Sequence, residues 1–219
     1  MTFVRGSKLR VERKTVITDS EFQQMLKRAS EIKDEFFRLR ALALLSILRL
    51  TGKRREEIAM LELDGVKVEA GYLNLTFTLL KKRKEVVLTR TVTKSVPLTD
   101  PLTKHILNYV DFLKKLNPRP KYLFPRVKSV FGNNVIIPDA HITGRQIFNI
   151  VRSLSSSVWP HLFRETAASD IIKQDSSIIG AFRVMRRLDL EDYRTGFRYL
   201  YRYAKDIIER GVKEMESNV

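Results

Sequence analysis

The chain has 219 residues, 43% of them hydrophobic, and its 41 Lys and Arg against 25 Asp and Glu give a formal net charge of +16 at pH 7. That is enough apolar material for one good core or two small ones, which excludes a disordered chain, and the lack of cysteine excludes disulfides and thiolate metal sites and suits a reducing compartment. A positive excess of this size attracts polyanions, because neutralising phosphates releases counterions whatever the base sequence.

Residues 1–17 read as an extended basic arm without the apolar stretch of a secretory leader. Thr18, Asp19 and Ser20 offer N-cap oxygens to a helix carrying Phe22, Met25 and Ala29. A second helix, from about Asp34 to Leu50, is apolar round most of its circumference, which predicts a central buried helix. Its run ALALLSILRL is too short and too interrupted by arginine to span a bilayer, so no membrane role follows. Gly52 stops it, and a short helix is expected from Arg54 to Leu63 before an Asp64-Gly65 turn. From Val66 to Leu98 the β-branched residues and the alternation Leu75, Phe77, Leu79 predict strands, with Lys81, Lys82, Arg83 and Lys84 at a hairpin tip. Together with Arg90 and Lys94 these cations, opposed only by Glu85, form a candidate grip on DNA backbone; the competing reading is a solvated face.

Pro101 begins a helix carrying Ile106, Tyr109, Val110 and Leu113, and Asn117-Pro118 with Pro120 closes it. The stretch from Tyr122 to Pro138 reads as irregular. Thr143 caps a helix through Ile147 and Val151, Ser155 to Ser157 form a turn, and Pro160 opens a helix holding His161 and Arg164, with Trp159 as its core anchor. Two further helices follow Ser176. The last, Leu190 to about Met215, is expected to put Tyr193, Phe197, Leu200, Tyr201, Ala204 and Ile208 on one apolar face. Abundant charge, few amides and no cysteine would suit a hot habitat.

Thr51-Gly52-Lys53-Arg54-Arg55-Glu56-Glu57 places Arg54 at a helix start, where a guanidinium and free amides can meet one phosphate, and Glu57 can brace it. His161 and Arg164 lie one turn apart on another helix. Two forked cations suit the non-bridging oxygens of a phosphorus under attack, where negative charge grows, and a histidine adds proton transfer near neutral pH. His105 and His141 read as incidental, and three histidines without cysteine make no zinc site.

TGKRREEIAML, KSVPL, YLFP and HLFRETAAS, in that order, resemble the tyrosine recombinase family of phage-type integrases and Xer-like recombinases, from about Asp19 to the C-terminal helix. The resemblance implies an α+β, mainly helical catalytic domain over residues 18–219, with a small three-stranded sheet and a basic β-hairpin, and without the N-terminal core-binding domain that usually precedes it. It implies a site-specific recombinase or integrase that cuts and rejoins DNA through a 3′-phosphotyrosine link with no metal, nucleotide or other cofactor. Double-stranded DNA is the implied partner, bound by a homo-oligomer, a dimer or tetramer, in the cytoplasm on nucleoid, viral or mobile-element DNA. By the same resemblance Arg54, His161 and Arg164 hold the scissile phosphate, Glu57 is the motif glutamate, and Lys82 or its neighbour Lys81 protonates the leaving 5′ oxygen.

The chain also departs from the family. No L-G-H or L-G-W element precedes the nucleophile; Val184 to Arg187 occupies the region and Arg187 is the nearest polar substitute. Glu165 stands where His or Lys often follows the second arginine. Of Tyr193, Tyr199, Tyr201 and Tyr203, the pattern puts Tyr193 and Tyr201 on the apolar stripe, whereas Gly196-Phe197-Arg198-Tyr199 resembles the family's small-x-Arg-Tyr ending. Tyr199 is therefore the first choice of nucleophile and Tyr193 the second; its offset from the preceding motif leaves open a mobile helix, a tyrosine given in trans, or a lost activity. Two alternatives stand beside the recombinase: a non-catalytic DNA-binding protein on the same fold, and a type IB topoisomerase-like relaxing activity.

Overall fold

The structure, a computed structural model, describes residues 14–83, 86–131 and 133–217, and the side chains of all of these except 80–83, 86–89 and 206–217. The arm therefore falls outside the described residues as far as Arg13; its last residues run onto the body, where the buried Ile17 amide donates to Thr166 Oγ1 at 2.9 Å. Thr18 and Glu21 form a capping box that starts α1 (Asp19–Ser30). The Asp34 side chain caps α2 (Glu35–Thr51), whose residues from Ala41 to Leu48 are all buried, as its unbroken apolar run requires.

α2 ends on Gly52, whose left-handed conformation (φ 62°) suits a residue without Cβ. Space demands glycine as well: a Cβ there would come within 2.8 Å of the Leu188 side chain and 3.3 Å of Ala167 Cβ. The chain turns straight into α3 (Arg55–Ala59), shorter than the sequence suggested because a 3-10 turn at Leu63–Gly65 takes over.

Strands β1 (Val66–Glu69), β2 (Tyr72–Arg83) and β3 (Val86–Pro97) form an antiparallel sheet in that order, with Phe77 opposite Val92 and Arg83 opposite Val86. Leu73, Leu75, Phe77 and Leu79 face the core, the period-2 pattern of a half-buried strand. α4 (Thr103–Lys114) packs on α2 through Ile106, Tyr109, Val110 and Leu113.

The segment expected to be irregular is instead a hairpin, β4 (Pro125–Val130) and β5 (Asn133–His141). Two prolines, Pro125 and Pro138, disguise the strands in the sequence. Pro125 is the first residue of its strand, and Pro138 sits where the register shifts between Pro125 and Arg126, so neither removes a ladder hydrogen bond that is needed.

Thr143 and Gln146 form the capping box of α5 (Gly144–Leu154), and Pro160 at the first helical position opens α6 (Pro160–Gln174). α7 (Ile178–Leu188) and α8 (Tyr193–Ser217) complete the chain. Among the described residues two apolar clusters appear. The larger lies around α2, between α1, α4, α5 and the sheet; the smaller, built on Ala167, Ala168, Ile172, Val184, Leu188, Tyr199 and Ala204, joins α6, α7 and α8.

The described part of α8 turns its faces differently from the expectation. Gly196, Tyr199 and Ala204 are buried, with Leu200 and Tyr203 half-buried, whereas Tyr193, Phe197 and Tyr201 are exposed. The reason is Gly196: its position would put a Cβ within 2.5 Å of Met185 Cγ, so close helix approach, not hydrophobicity, sets the phase. Among the described residues no helix is long and apolar enough to cross a membrane.

Candidate active site

The starts of α3 and α6 meet the middle of α5 at one cleft of about 310 Å³, lined by Lys53, Arg54, Arg55, Glu56, Phe148, Trp159, Pro160, His161 and Arg164. Arg54 is the N-cap of α3 and over half exposed; its Nη1 donates to Glu57 Oε1 at 3.0 Å while its backbone N–H donates to Glu57 Oε2 at 3.1 Å. The buried Glu57 carboxylate thus fixes both the turn and the direction of the guanidinium. Trp159, half-buried against the larger core, is the N-cap of α6 and sets the position of His161 one residue into the helix.

Arg164 is only 4% exposed and serves two masters in the fold, donating from Nη1 to the Gly52 carbonyl at 3.0 Å and from Nη2 to the Leu188 carbonyl at 2.6 Å. Those bonds clamp the end of α2 to the end of α7 and hold the guanidinium rigid. Burial, then the Arg54 charge, pulls its pKa below the usual value, which marks the two guanidinium groups as neighbours; an arginine stays charged regardless. An empty cleft that keeps two like charges together is prepared for an anion.

Tyr199 is a neighbour of Arg164, although it is not among the residues that line the cleft. It is 8% exposed, and its hydroxyl lies beside the Arg164 guanidinium. Burial, and then the Glu165 charge, raises the phenol above its ordinary value, with Arg164 opposing, so the hydroxyl is protonated at neutral pH. Its ring stacks on Tyr203, with centroids 6.3 Å apart and planes 11° apart. Tyr193, the second choice, is 57% exposed on the opposite side of α8, packed edge-on against Phe197.

Glu165, buried beside Arg164, gathers three donors. Its Oε1 faces His161 Nε2 at 3.0 Å, and its Oε2 accepts from Arg202 at 2.8 Å and from the Tyr203 hydroxyl at 2.6 Å. Burial alone would raise this carboxyl, but His161, Tyr203 and Arg202 together bring it below its ordinary value.

Arg187 is not brought to the cleft. It donates to the Leu50 carbonyl and lines a separate depression with Arg49, Asp100 and Asp170. Arg187 lies in the last turn of α7, which ends on Asp189, a residue other than glycine in the left-handed conformation (φ 50°). Val184 to Arg187 are still helix.

Asp189 has a second part, invisible in the sequence. It bridges the buried Lys53 ammonium, 2.7 Å from Oδ2, and Lys94 on β3, 2.8 Å from Oδ1. Lys53 also lies over the Phe77 ring at 4.8 Å. Lys94 is therefore engaged with Asp189 and the Arg186 carbonyl rather than free for phosphate, and Arg90 lies 3.5 Å from Glu191. Lys81 and Lys82 stand on β2 opposite Leu88 and Val87, with Arg83 beside them at the ribbon tip; their side chains, and all of Lys84, lie outside the described residues. Among the described residues no cluster of His, Cys, Asp or Glu is arranged to hold a metal ion.

The two buried carboxylates predict acid behaviour. The Lys53 and Lys94 partners outweigh burial and hold Asp189 below its ordinary 3.8, as the donors of Glu165 hold it below 4.5. Both pairings contribute fully above those values, and that stability is lost as pH falls through the lower folded values. The midpoint of thermal unfolding should stay level from neutral pH to about pH 5 and fall below it, and Glu165→Gln with Asp189→Asn should flatten the acid limb.

Three comparisons bear on this site. The model of the phage integrase family matches residues 15–199. No curated protein sequence matches. Among solved structures, the fold is similar to that of the XerA recombinase, with a TM-score of 0.62 and 16% identity over 94% of this chain and 66% of that one. It is similar also to the XerH site-specific recombinase bound to its difH substrate before cleavage, with a TM-score of 0.58 and 16% identity over 90% of this chain and 53% of that one. The post-cleavage complex of XerH with a palindromic difH substrate gives 0.59 and 19% over 92% and 53%. The chain thus spans from about half to just under two thirds of the length of these recombinases.

Proposed function

We propose, for a chain that belongs to the phage integrase family and has the fold of a tyrosine recombinase catalytic domain, that it is a site-specific DNA strand transferase whose nucleophile is Tyr199. The observation that carries this reading is the Tyr199 hydroxyl beside Arg164 in the structure, next to the cleft that Arg54 and His161 line.

In this reading a backbone phosphate enters the cleft and its non-bridging oxygens meet Arg54 and Arg164, which are already oriented by Glu57 and by the Gly52 and Leu188 carbonyls. The Tyr199 oxygen attacks phosphorus as its proton leaves, and the imidazole of His161 is the cleft group that would accept it. The bond from phosphorus to the 5′ oxygen breaks, and that oxygen takes a proton from Lys82 or Lys81. The 3′-phosphotyrosine keeps the energy of the broken bond, so a second 5′ hydroxyl can reverse the step and join a new strand. No metal is called for, since the guanidinium groups supply the positive charge. The rest of the net charge of +16 serves as a general hold on double-stranded DNA.

A homo-oligomer on the DNA fits the same reading. Phe182, Tyr193, Phe197 and Tyr201 expose aromatic rings on α7 and α8, a surface suited to contact between copies. Incubation with a nicked suicide duplex in the presence of a chelator should yield a protein–DNA adduct that resists denaturation and disappears on protease treatment. Salt-sensitive binding without any adduct would instead support the non-catalytic DNA-binding protein, which the missing L-G-H element favours. Relaxation of supercoiled plasmid without strand exchange would mark the topoisomerase-like activity.

A further inference from the structure

We propose that Glu165 is a positioning residue that latches the Tyr199 helix into its own protomer's cleft and couples that latch to His161. The inference rests on the cleavage reading above. Its ground is the division of labour between the two carboxylate oxygens: Oε1 serves His161 on α6, and Oε2 serves Arg202 and Tyr203 on α8. A carboxylate is planar and rigid, so donors on one oxygen orient the other. Tyr203 in turn lies one turn from Tyr199 with its ring stacked on it, so the bond from Glu165 to the Tyr203 hydroxyl fixes the surface against which the Tyr199 ring rests.

Along the described length of α8 the apolar contact is made by Tyr199 and Ala204, with Leu200 and Tyr203 half-buried beside them, and the charge-assisted bonds to Glu165 add a directional hold to it. Release would strand no buried charge, because Arg202 is already half exposed and Glu165 would gain water as α8 left. The bonds to one carboxylate therefore weigh on the balance between docked and released α8 beside its apolar contact, which makes Glu165 the residue that biases Tyr199 toward its own cleft over another protomer's.

The test uses the full chain. Hydrogen exchange of the DNA-free protein is read over residues 193–205 and over α6 in wild type, Glu165→Gln and Tyr203→Phe; the last keeps the ring stack and loses one bond. Exchange over 193–205 should rise by about tenfold, the size expected for one charge-assisted hydrogen bond, while α6 keeps its protection. A second arm mixes Tyr199→Phe protomers with Arg54→Ala protomers on the suicide duplex, so that an adduct requires one protomer's Tyr199 in the other's cleft. With Glu165 intact the mixture should give little adduct; with Glu165→Gln in both protomers it should give about tenfold more, a gain that simple damage to the fold does not produce. Unchanged exchange over 193–205 in both variants, or equal adduct from the two mixtures, overturns the latch. If the wild-type chain itself makes no adduct, the cleavage reading fails and the exchange arm alone decides the latch.

Discussion

Tyr199→Phe is expected to abolish covalent capture of DNA, lowering adduct formation by at least about 10⁴-fold, the scale on which removal of a covalent nucleophile is felt. The substitution deletes one oxygen and keeps the ring on Tyr203, so stacking and helix docking should survive and DNA affinity should be unchanged. Tyr193→Phe, on the exposed side of α8, should leave adduct yield at the wild-type level. Both variants are compared on one suicide duplex by denaturing gel, with binding measured separately. Full adduct from Tyr199→Phe would remove this residue from the chemistry and reopen the choice among Tyr193, Tyr201 and Tyr203.

The two arginines should separate in a way that residue type alone does not suggest. Arg54→Ala is expected to cut the cleavage rate by about 10²- to 10³-fold, as for loss of one fixed donor to a developing oxyanion. Little change in the unfolding midpoint should accompany it, because this guanidinium is more than half exposed and its ion pair is with Glu57, three residues on in the same helix start. Arg164→Ala should abolish cleavage and also destabilise the fold by about 2 to 4 kcal/mol, since the Gly52 and Leu188 carbonyls lose their donors and a buried volume empties. Urea titrations beside single-turnover cleavage make the comparison. Equal losses of stability in the two variants would contradict the division between a surface clamp and a buried one.

Much of this site is legible in the linear chain because its chemistry is local. Arg54 follows the helix-ending Gly52 and is braced by Glu57 three residues on, and His161 with Arg164 fills one helical turn behind Pro160; spacing and capping rules reach all of them. What escaped detection depends on backbone shape and close packing. A left-handed Asp189 ends α7 without a glycine to announce it, and Arg187, the polar substitute expected from the sequence, turns instead to the Leu50 carbonyl. On α8 two phases of apolar residues compete: hydrophobicity favours Tyr193, Phe197 and Tyr201, whereas Gly196, apolar only by being small, sets the observed one. The motif points to Tyr199, but the apolar stripe expected from the sequence leaves it off the buried face that it occupies. The Lys53–Asp189–Lys94 bridge joins segments far apart in sequence, and no local pattern announces it.

The bonds from Arg164 to Gly52 and Leu188 have a meaning for the order in which the molecule is made. A ribosome releases α2 and its Gly52 carbonyl before α6 with Arg164, and Leu188 and Tyr199 after both. Until α7 emerges, Arg164 has only one of its two carbonyls and Tyr199 does not yet exist. A chain interrupted before α7 would hold Arg164 by one carbonyl alone, so the proposed phosphate clamp becomes rigid only once α7 has packed against α6.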